Sequence, residues 1–307
     1  MAHPNITDFD AVEHEDRAGA DIDRRRWRLG PAAGARDVGL SRYLVAPGAR
    51  MMPVHVHADE EEICVVLAGS GLSYEDGRAF AIGTDDTLVY PAGAPAHTLI
   101  AGPDGLEVLF FGSGSPTGLT WLPRAQVMWA GAHWVPVDAP HPFAAEERAG
   151  PLEVPPPEAQ RPATIVALAD VPQRRVDQPG FGAVRADLGT AARSSRCGLR
   201  RSTLDPGAQS APPHWHTLEE ESFVVLEGEG TVLLGEHSEP IGPGSVVVRP
   251  PDGGEAHALR AGSGPLTYLA FGTRVPGDVV YYPRSRKFLI GGVVFRVEPV
   301  GYWDGEA

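Results

Sequence analysis

The chain has 307 residues, of which 37 are glycine and 30 proline, over a fifth of the total against roughly 12% in ordinary usage. Both types break helices and populate turns, so a helical bundle is excluded, while a hydrophobic fraction of 42% is enough for real cores. Twenty-six basic against forty acidic residues leave a net charge of −14, which opposes a polyanionic partner such as nucleic acid.

Residues Met1 to Arg17 are acidic and lack an apolar core, so no secretory signal is expected. No apolar run approaches the roughly 18 residues that span a bilayer, and no membrane partner is expected. Cys64 and Cys197 form no Cys-x-x-Cys pair, which fits a reducing, cytoplasmic setting without disulfides. Lys287 is the only lysine and precedes Phe288, which excludes a phosphate-binding Gly-Lys-Ser/Thr loop. A Gly-x-Ser-x-Gly elbow is also absent.

Short strands separated by turns follow along the chain. Glu62 to Leu67 is an apolar, β-branched run that closes at Gly69, and Glu75-Asp76-Gly77 carries the Asp-Gly pair of a hairpin. Leu106 to Phe111 reads as another strand. Residues 148–163, with Pro155-Pro156-Pro157, read as a semi-rigid linker. Beyond it the pattern returns in Ser222 to Leu226, closing at Gly228, and in Leu266 to Phe271.

The return is a true repeat. Pro47-Gly48 is answered by Pro206-Gly207, and at the same shift of 159 His55, His57, Glu62 and Gly69 meet His214, His216, Glu221 and Gly228. Arg26 meets Arg185 and Gly39-Leu40 meets Gly198-Leu199. After one inserted residue His97 meets His257 and Phe111-Gly112 meets Phe271-Gly272. The predicted organisation is a unit at 1–147, the linker at 148–163 and a second unit at 164–307. Each unit is expected to be a small β-barrel, with order lost only in the linker and the first twenty or so residues.

The histidines give the repeat its chemistry. His55-x-His57 places two imidazoles on one strand face. Glu62 lies an odd number of residues beyond His57, so a turn at Ala58 to Glu61 must bring it back towards them. His97 follows the turn at Pro91-Ala92-Gly93, at the head of a later strand. Three imidazoles and a carboxylate suit a divalent transition metal such as Mn, Fe, Ni, Co, Cu or Zn. His55, His57, Glu62 and His97 form one candidate set, and His214, His216, Glu221 and His257 the other. Up to two ions per chain are expected. Six of eleven histidines at three matched positions, each set with its glutamate, is more than packing requires.

The order Pro-Gly, His-x-His-x4-Glu-x6-Gly, then Pro-x-Gly and a third His resembles the paired motifs of the cupin superfamily. The resemblance covers nearly the whole chain and implies a two-domain bicupin. Its fold would be all-β, two tandem jelly-roll barrels, each holding one metal through the four residues named. Two departures stand out: three residues separate Gly93 from His97 where two are usual, and the usual asparagine of the second motif is missing from both copies. The tail, from Thr120-Trp121-Leu122-Pro123-Arg124 and its match Val280-Tyr281-Tyr282-Pro283-Arg284 to Gly301-Tyr302-Trp303, resembles that of a group of bacterial two-cupin proteins.

Cys64 should share the inward strand face with Glu62. Because Phe223 is its counterpart, a roomier pocket is expected in the first barrel. Arg42 with Arg201, and Arg124 with Arg284, occupy matched positions and are either carboxylate clamps or structural ion pairs. Arg249, opposite Tyr90, is a weaker candidate. Trp121, Trp129, Trp134 and Trp303 are expected to pack the barrels together.

The resemblance favours a metalloenzyme, dioxygenase- or decarboxylase-like, acting on a small and possibly anionic organic acid or ring compound. The glutamate-bearing lid segment of bicupin decarboxylases is not recognisable. The alternative is a non-catalytic, metal-dependent binding or sensing protein, and a storage role fits less well because both ligand sets are complete. A monomer or homodimer is expected, since fused barrels already supply each other's partner.

Overall fold

The computed structural model describes residues 3–93, 95–114, 118–130, 133–135, 142–251, 254–296 and 298–306. Strands dominate, and no helix among the described residues is long and apolar enough to cross a membrane. The fold is all-β, built as two jelly rolls. In the first half, the strands Asp86–Tyr90, Glu62–Glu75, His97–Gly112, Gly39–Val45, Ile22–Trp27 and His14–Gly19 lie side by side in that order. A smaller sheet carries Val56–His57 beside Leu119–Leu122 and Val127–Ala130. The second half repeats this with Ser245–Arg249, Glu221–Glu227, Leu266–Thr273, Cys197–Leu204, Ala183–Asp187 and Gln173–Val176.

Alternation along Glu62–Glu75 sorts its side chains into two layers. Ile63 and Val65 enter a core shared by both halves, while Cys64 and Val66 enter the interior of the first barrel. The shared core brings Leu40, Leu109 and Phe111 against Leu199, Leu269 and Phe271, with the two phenylalanine rings 5.0 Å apart. The hairpin at Asp76-Gly77 forms as the Asp-Gly pair predicts, both residues having positive φ (46° and 85°). Gly69 and Gly228 earn their place in the repeat by geometry. Both have positive φ, and a Cβ would run into the carbonyl oxygen of Gly105 or Pro265.

The halves also exchange strands. Ile6–Asp8 pairs with Ser245–Arg249 of the second-half sheet, with Ile6 opposite Val247. Ile165–Ala167 pairs with Asp86–Tyr90 of the first, with Ile165 opposite Leu88. The expectation that the first twenty residues lack order is therefore corrected. Residues 14–19 pair with 22–27, and Ile6–Asp8 completes the far sheet. Their sequence is polar because these are half-exposed edge strands, which composition alone does not distinguish from a disordered segment.

A second reciprocal contact involves two buried carboxylates. Glu61 takes hydrogen bonds from the backbone N–H of Ser195, Arg196 and Cys197, at 3.0, 3.1 and 3.1 Å, and from the Ser194 hydroxyl at 2.5 Å. Its repeat partner Glu220 takes them from Arg36, Asp37 and Val38, at 2.9, 3.2 and 2.8 Å. Each half thus holds a loop of the other.

The tryptophans depart from expectation. Trp303 is 76% exposed, and Trp129, 42% exposed, lines a cavity of the first half, so neither packs the barrels together. The side chain of Trp134 lies outside the described residues.

Candidate metal centres

The four sequence-predicted residues of each half come together. His55 and His97 face each other across an antiparallel bridge, His55 N–H donating to the His97 carbonyl at 3.2 Å and His97 N–H to that of His55 at 2.8 Å. His57 follows on a short strand, and Glu62 opens the long one after the predicted turn. Nε2 of His55, His57 and His97 lies 3.7, 3.5 and 3.1 Å from a single atom, Oε2 of Glu62. In the second half Nε2 of His214, His216 and His257 lies 3.7, 3.3 and 2.8 Å from Oε2 of Glu221. The ligand-type atoms of His55, His57 and Glu62, and those of His214, Glu221 and His257, fall within 4.8 Å of one another, as a shared ion requires.

The remaining ring nitrogens are occupied from outside. Nδ1 of His55, His97 and His214 lies 2.9, 3.1 and 2.9 Å from the carbonyls of Pro53, Pro95 and Pro212. A carbonyl can only accept, so Nδ1 carries the proton and Nε2 turns its lone pair to the centre. The signal for this was in the sequence: a proline stands two residues before three of the four bridging histidines. At the fourth, Glu255 replaces it, Arg249 donates to the Glu255 carbonyl at 3.1 Å, and the buried Nδ1 of His257 has no partner among the described residues. His57 Nδ1 meets Thr120 Oγ1 at 3.1 Å and Glu60 Oε2 at 3.2 Å, whereas His216 Nδ1 meets Asp278 Oδ2 at 2.7 Å. Thr120 lies in the repeated tail motif and Asp278 just before its counterpart, but the motif carries no sign of contact with the histidines, so sequence reasoning assigned neither a role.

Electrostatics match a site built for positive charge. Burial opposes the charge on His57, but the facing Glu62, with Glu60 and Asp59, raises its pKa to about 9. For His216 burial is likewise overcome, here by Glu221 and Asp278, again giving about 9. Burial wins at His97 and His257, lowering both to about 4. Glu62 and Glu221 are held well below the usual carboxylate range, because the histidines outweigh the burial that would raise them. In each set a carboxylate faces a histidine whose proton it retains, His57 or His216, and a divalent cation is the natural exchange for that proton.

The two centres differ in access. A cavity of about 420 Å3 opens onto His55, His57 and Glu62, whereas the space beside His216 and His257 is about 10 Å3. The expectation of a first pocket widened at Cys64 is not met. Cys64 is buried and does not line the cavity. In its half Tyr90 stacks on His97, 3.7 Å between ring centroids and 6° between planes, held by a buried Tyr90–Ser73–Glu75 hydrogen-bond chain. The second half is filled instead by Phe223, 5.6 Å from His257, and by Tyr282, 5.6 Å from His214, where the first half has Leu122.

The four matched arginines stand elsewhere. Arg42 pairs with Glu107 at 2.7 Å, and with Arg201 it lines a separate cavity between the halves. Arg124 pairs with buried Glu146 at 3.4 Å, and Arg284 lies in a turn after Val279–Tyr282. Arg249 is bound to Glu255 at 2.9 Å. The arginines that do line the first cavity are Arg17, Arg24 and Arg26. Only the Arg26–Arg185 match in the repeat hinted at one of them.

A family model described as "Cupin domain" matches residues 41–112 and again 200–272. Among solved structures, oxalate decarboxylase from Bacillus subtilis at pH 4.6 is 18% identical with a TM-score of 0.59, covering 88% of this chain and 76% of that one. The formate complex of oxalate decarboxylase from Lactobacillus farciminis is 19% identical with a TM-score of 0.62, covering 91% and 88%. At such identities the likeness is one of fold. No curated protein matches the chain.

Proposed function

The chain is a two-domain cupin protein, and on that footing we propose that it is a metal-dependent enzyme acting on a small organic acid or ring compound at its first barrel. His55, His57, Glu62 and His97 would hold one divalent transition metal, and His214, His216, Glu221 and His257 a second. The observation that carries this reading is the asymmetry of two equally complete ligand sets. The first lines a cavity of about 420 Å3, large enough for a substrate, whereas the space beside His216 and His257 is about 10 Å3.

When bound, such an ion supplies Lewis-acid or redox activation at positions that four protein ligands leave open. The protein's own groups do the rest. Pro53, Pro95, Thr120 and Glu60 fix the rings so that every Nε2 points inward. Tyr90 covers the outer face of His97, which keeps that ring in place and dry. The second centre, with Phe223 and Tyr282 packed against His257 and His214, is assigned a structural role. The oxalate decarboxylases share the fold, and a decarboxylase- or dioxygenase-type reaction is the corresponding expectation here.

Oxygen uptake and carbon dioxide release by protein loaded with Mn(II) or Fe(II) test this against a panel of carboxylates and catechols. Turnover should vanish in Glu62→Ala and survive in Glu221→Ala. Equal loss in both variants would overturn the division of labour. Saturable binding without turnover would assign the chain to the non-catalytic reading.

A further inference from the structure

The lining of the first cavity also carries a feature that the metal centre does not use. Arg24 and Arg26 alternate on the strand Ile22–Trp27, so both side chains leave the same face. Their guanidinium carbons sit over one aromatic ring, that of Tyr43, at 5.1 and 5.6 Å from its centroid. Arg26 is positioned by Ser41, its Nε donating to Oγ at 3.2 Å. Arg24 Nε and Nη1 are buried with no hydrogen-bond partner among the described residues, a condition that Arg249 shares in the second half, where it is paired with Glu255. A buried, unsatisfied donor costs about 1–3 kcal/mol, more when charged. Such a group persists where something else uses it.

The second half does without it. By the repeat, Ala183 stands at the place of Arg24 and Ser202 at that of Tyr43. Arginine, aromatic platform and cavity occur together beside the first centre. The rest of the lining includes apolar Met52, Leu122, Trp129 and Phe143, and acidic Glu15 and Asp16 near Arg24 and Arg17. At about 420 Å3 the cavity falls among sites that enclose whole drug-sized ligands, several times the volume of a two-carbon diacid.

We infer that Arg24, with Arg26 beside it, is the carboxylate clamp of the first site, and that the ligand is a carboxylate with an apolar, aromatic-sized body and not oxalate. This rests on the proposed metal site only for the placing of the ligand's reactive end. The guanidinium fork takes the carboxylate, and the apolar wall takes the ring. The ligand's far end is then directed at His55, His57 and Glu62.

The test is titration of the Mn(II)-loaded protein with benzoate, benzamide and oxalate, followed by calorimetry and by tryptophan fluorescence, since Trp129 lines the cavity. Benzoate should bind about tenfold or more tightly than either benzamide or oxalate. Arg24→Met should weaken benzoate by about tenfold or more while leaving Mn(II) content unchanged, with Arg24→Lys in between. Folding is read in the same experiment. Because Arg24 is unsatisfied in the absence of ligand, Arg24→Met should melt at or above the wild-type temperature, and benzoate should raise the melting temperature of the wild type only. Equal binding of benzoate and benzamide, preference for oxalate, no benzoate binding at millimolar concentration, or an unchanged affinity in Arg24→Met would each overturn the clamp. Metal content separates the two readings. Benzoate binding through Arg24 in protein that takes up no Mn(II) would sink the metal site and keep the clamp, and the reverse result would sink the clamp alone.

Discussion

Each ligand set turns on one proton. With no ion bound, the charge on Glu62 keeps His57 protonated up to about pH 9, and Glu221 does the same for His216. A folded-state pKa raised above the ordinary 6.5 stabilises the fold fully below that value and ceases to do so as pH rises through about 9. The metal-free protein should therefore lose thermal stability between about pH 6.5 and 9. Metal-loaded protein should not, because the cation takes over the proton's role. Melting curves across that range with and without Mn(II) check this, and parallel curves would show that the two do not exchange. The eight ligand-type residues were legible as a set because a duplicated pattern makes the coincidence visible. Arg24 was not legible, since its role depends on a cavity that the fold forms between it and His55, 31 positions away.

Strand alternation explains why two adjacent glutamates do opposite things. On either side of the same turn, Glu62 faces the barrel interior and Glu61 faces the other half, and Glu221 and Glu220 repeat the arrangement. Glu61→Ala leaves the loop 194–197 with unpaired buried donors, so a loss of about 3 kcal/mol or more is expected in urea unfolding. A loss below about 1 kcal/mol would mean that water or the serines satisfy the loop instead. The segment carrying Thr120 and Asp278 acts from behind the histidines. Asp278→Asn should weaken metal binding about 10- to 100-fold at the second centre and leave the first untouched. Calorimetric metal titration resolves the two, and equal weakening would contradict the assignment. Strands and hairpin were readable from β-branched runs and Asp-Gly. The edge strands at residues 6–19 were not, because half-exposed edges are as polar as unfolded chain.

At the scale of the whole molecule, duplication has produced interlocked halves with unequal pockets. Each half completes a sheet of the other, and a single core runs through both. Removing residues 1–8 should therefore speed amide exchange in Ser245–Arg249, far away in sequence, more than in the adjacent first-half sheet. Unchanged exchange there would contradict the strand exchange. The repeat predicted two similar units, and their asymmetry lay in a few replacements: Leu122 for Tyr282, Arg24 for Ala183, Tyr90 for Arg249. Their effect emerges only when the side chains are packed around the centres. The central claim is that the two sets of three histidines and one glutamate each hold an ion. Metal content after reconstitution with Mn(II) tests it directly in wild type, His57→Ala, His216→Ala and the double variant. Two ions per chain, then one, one and none, is the predicted series. Full metal content in the double variant, or none in the wild type, would contradict it.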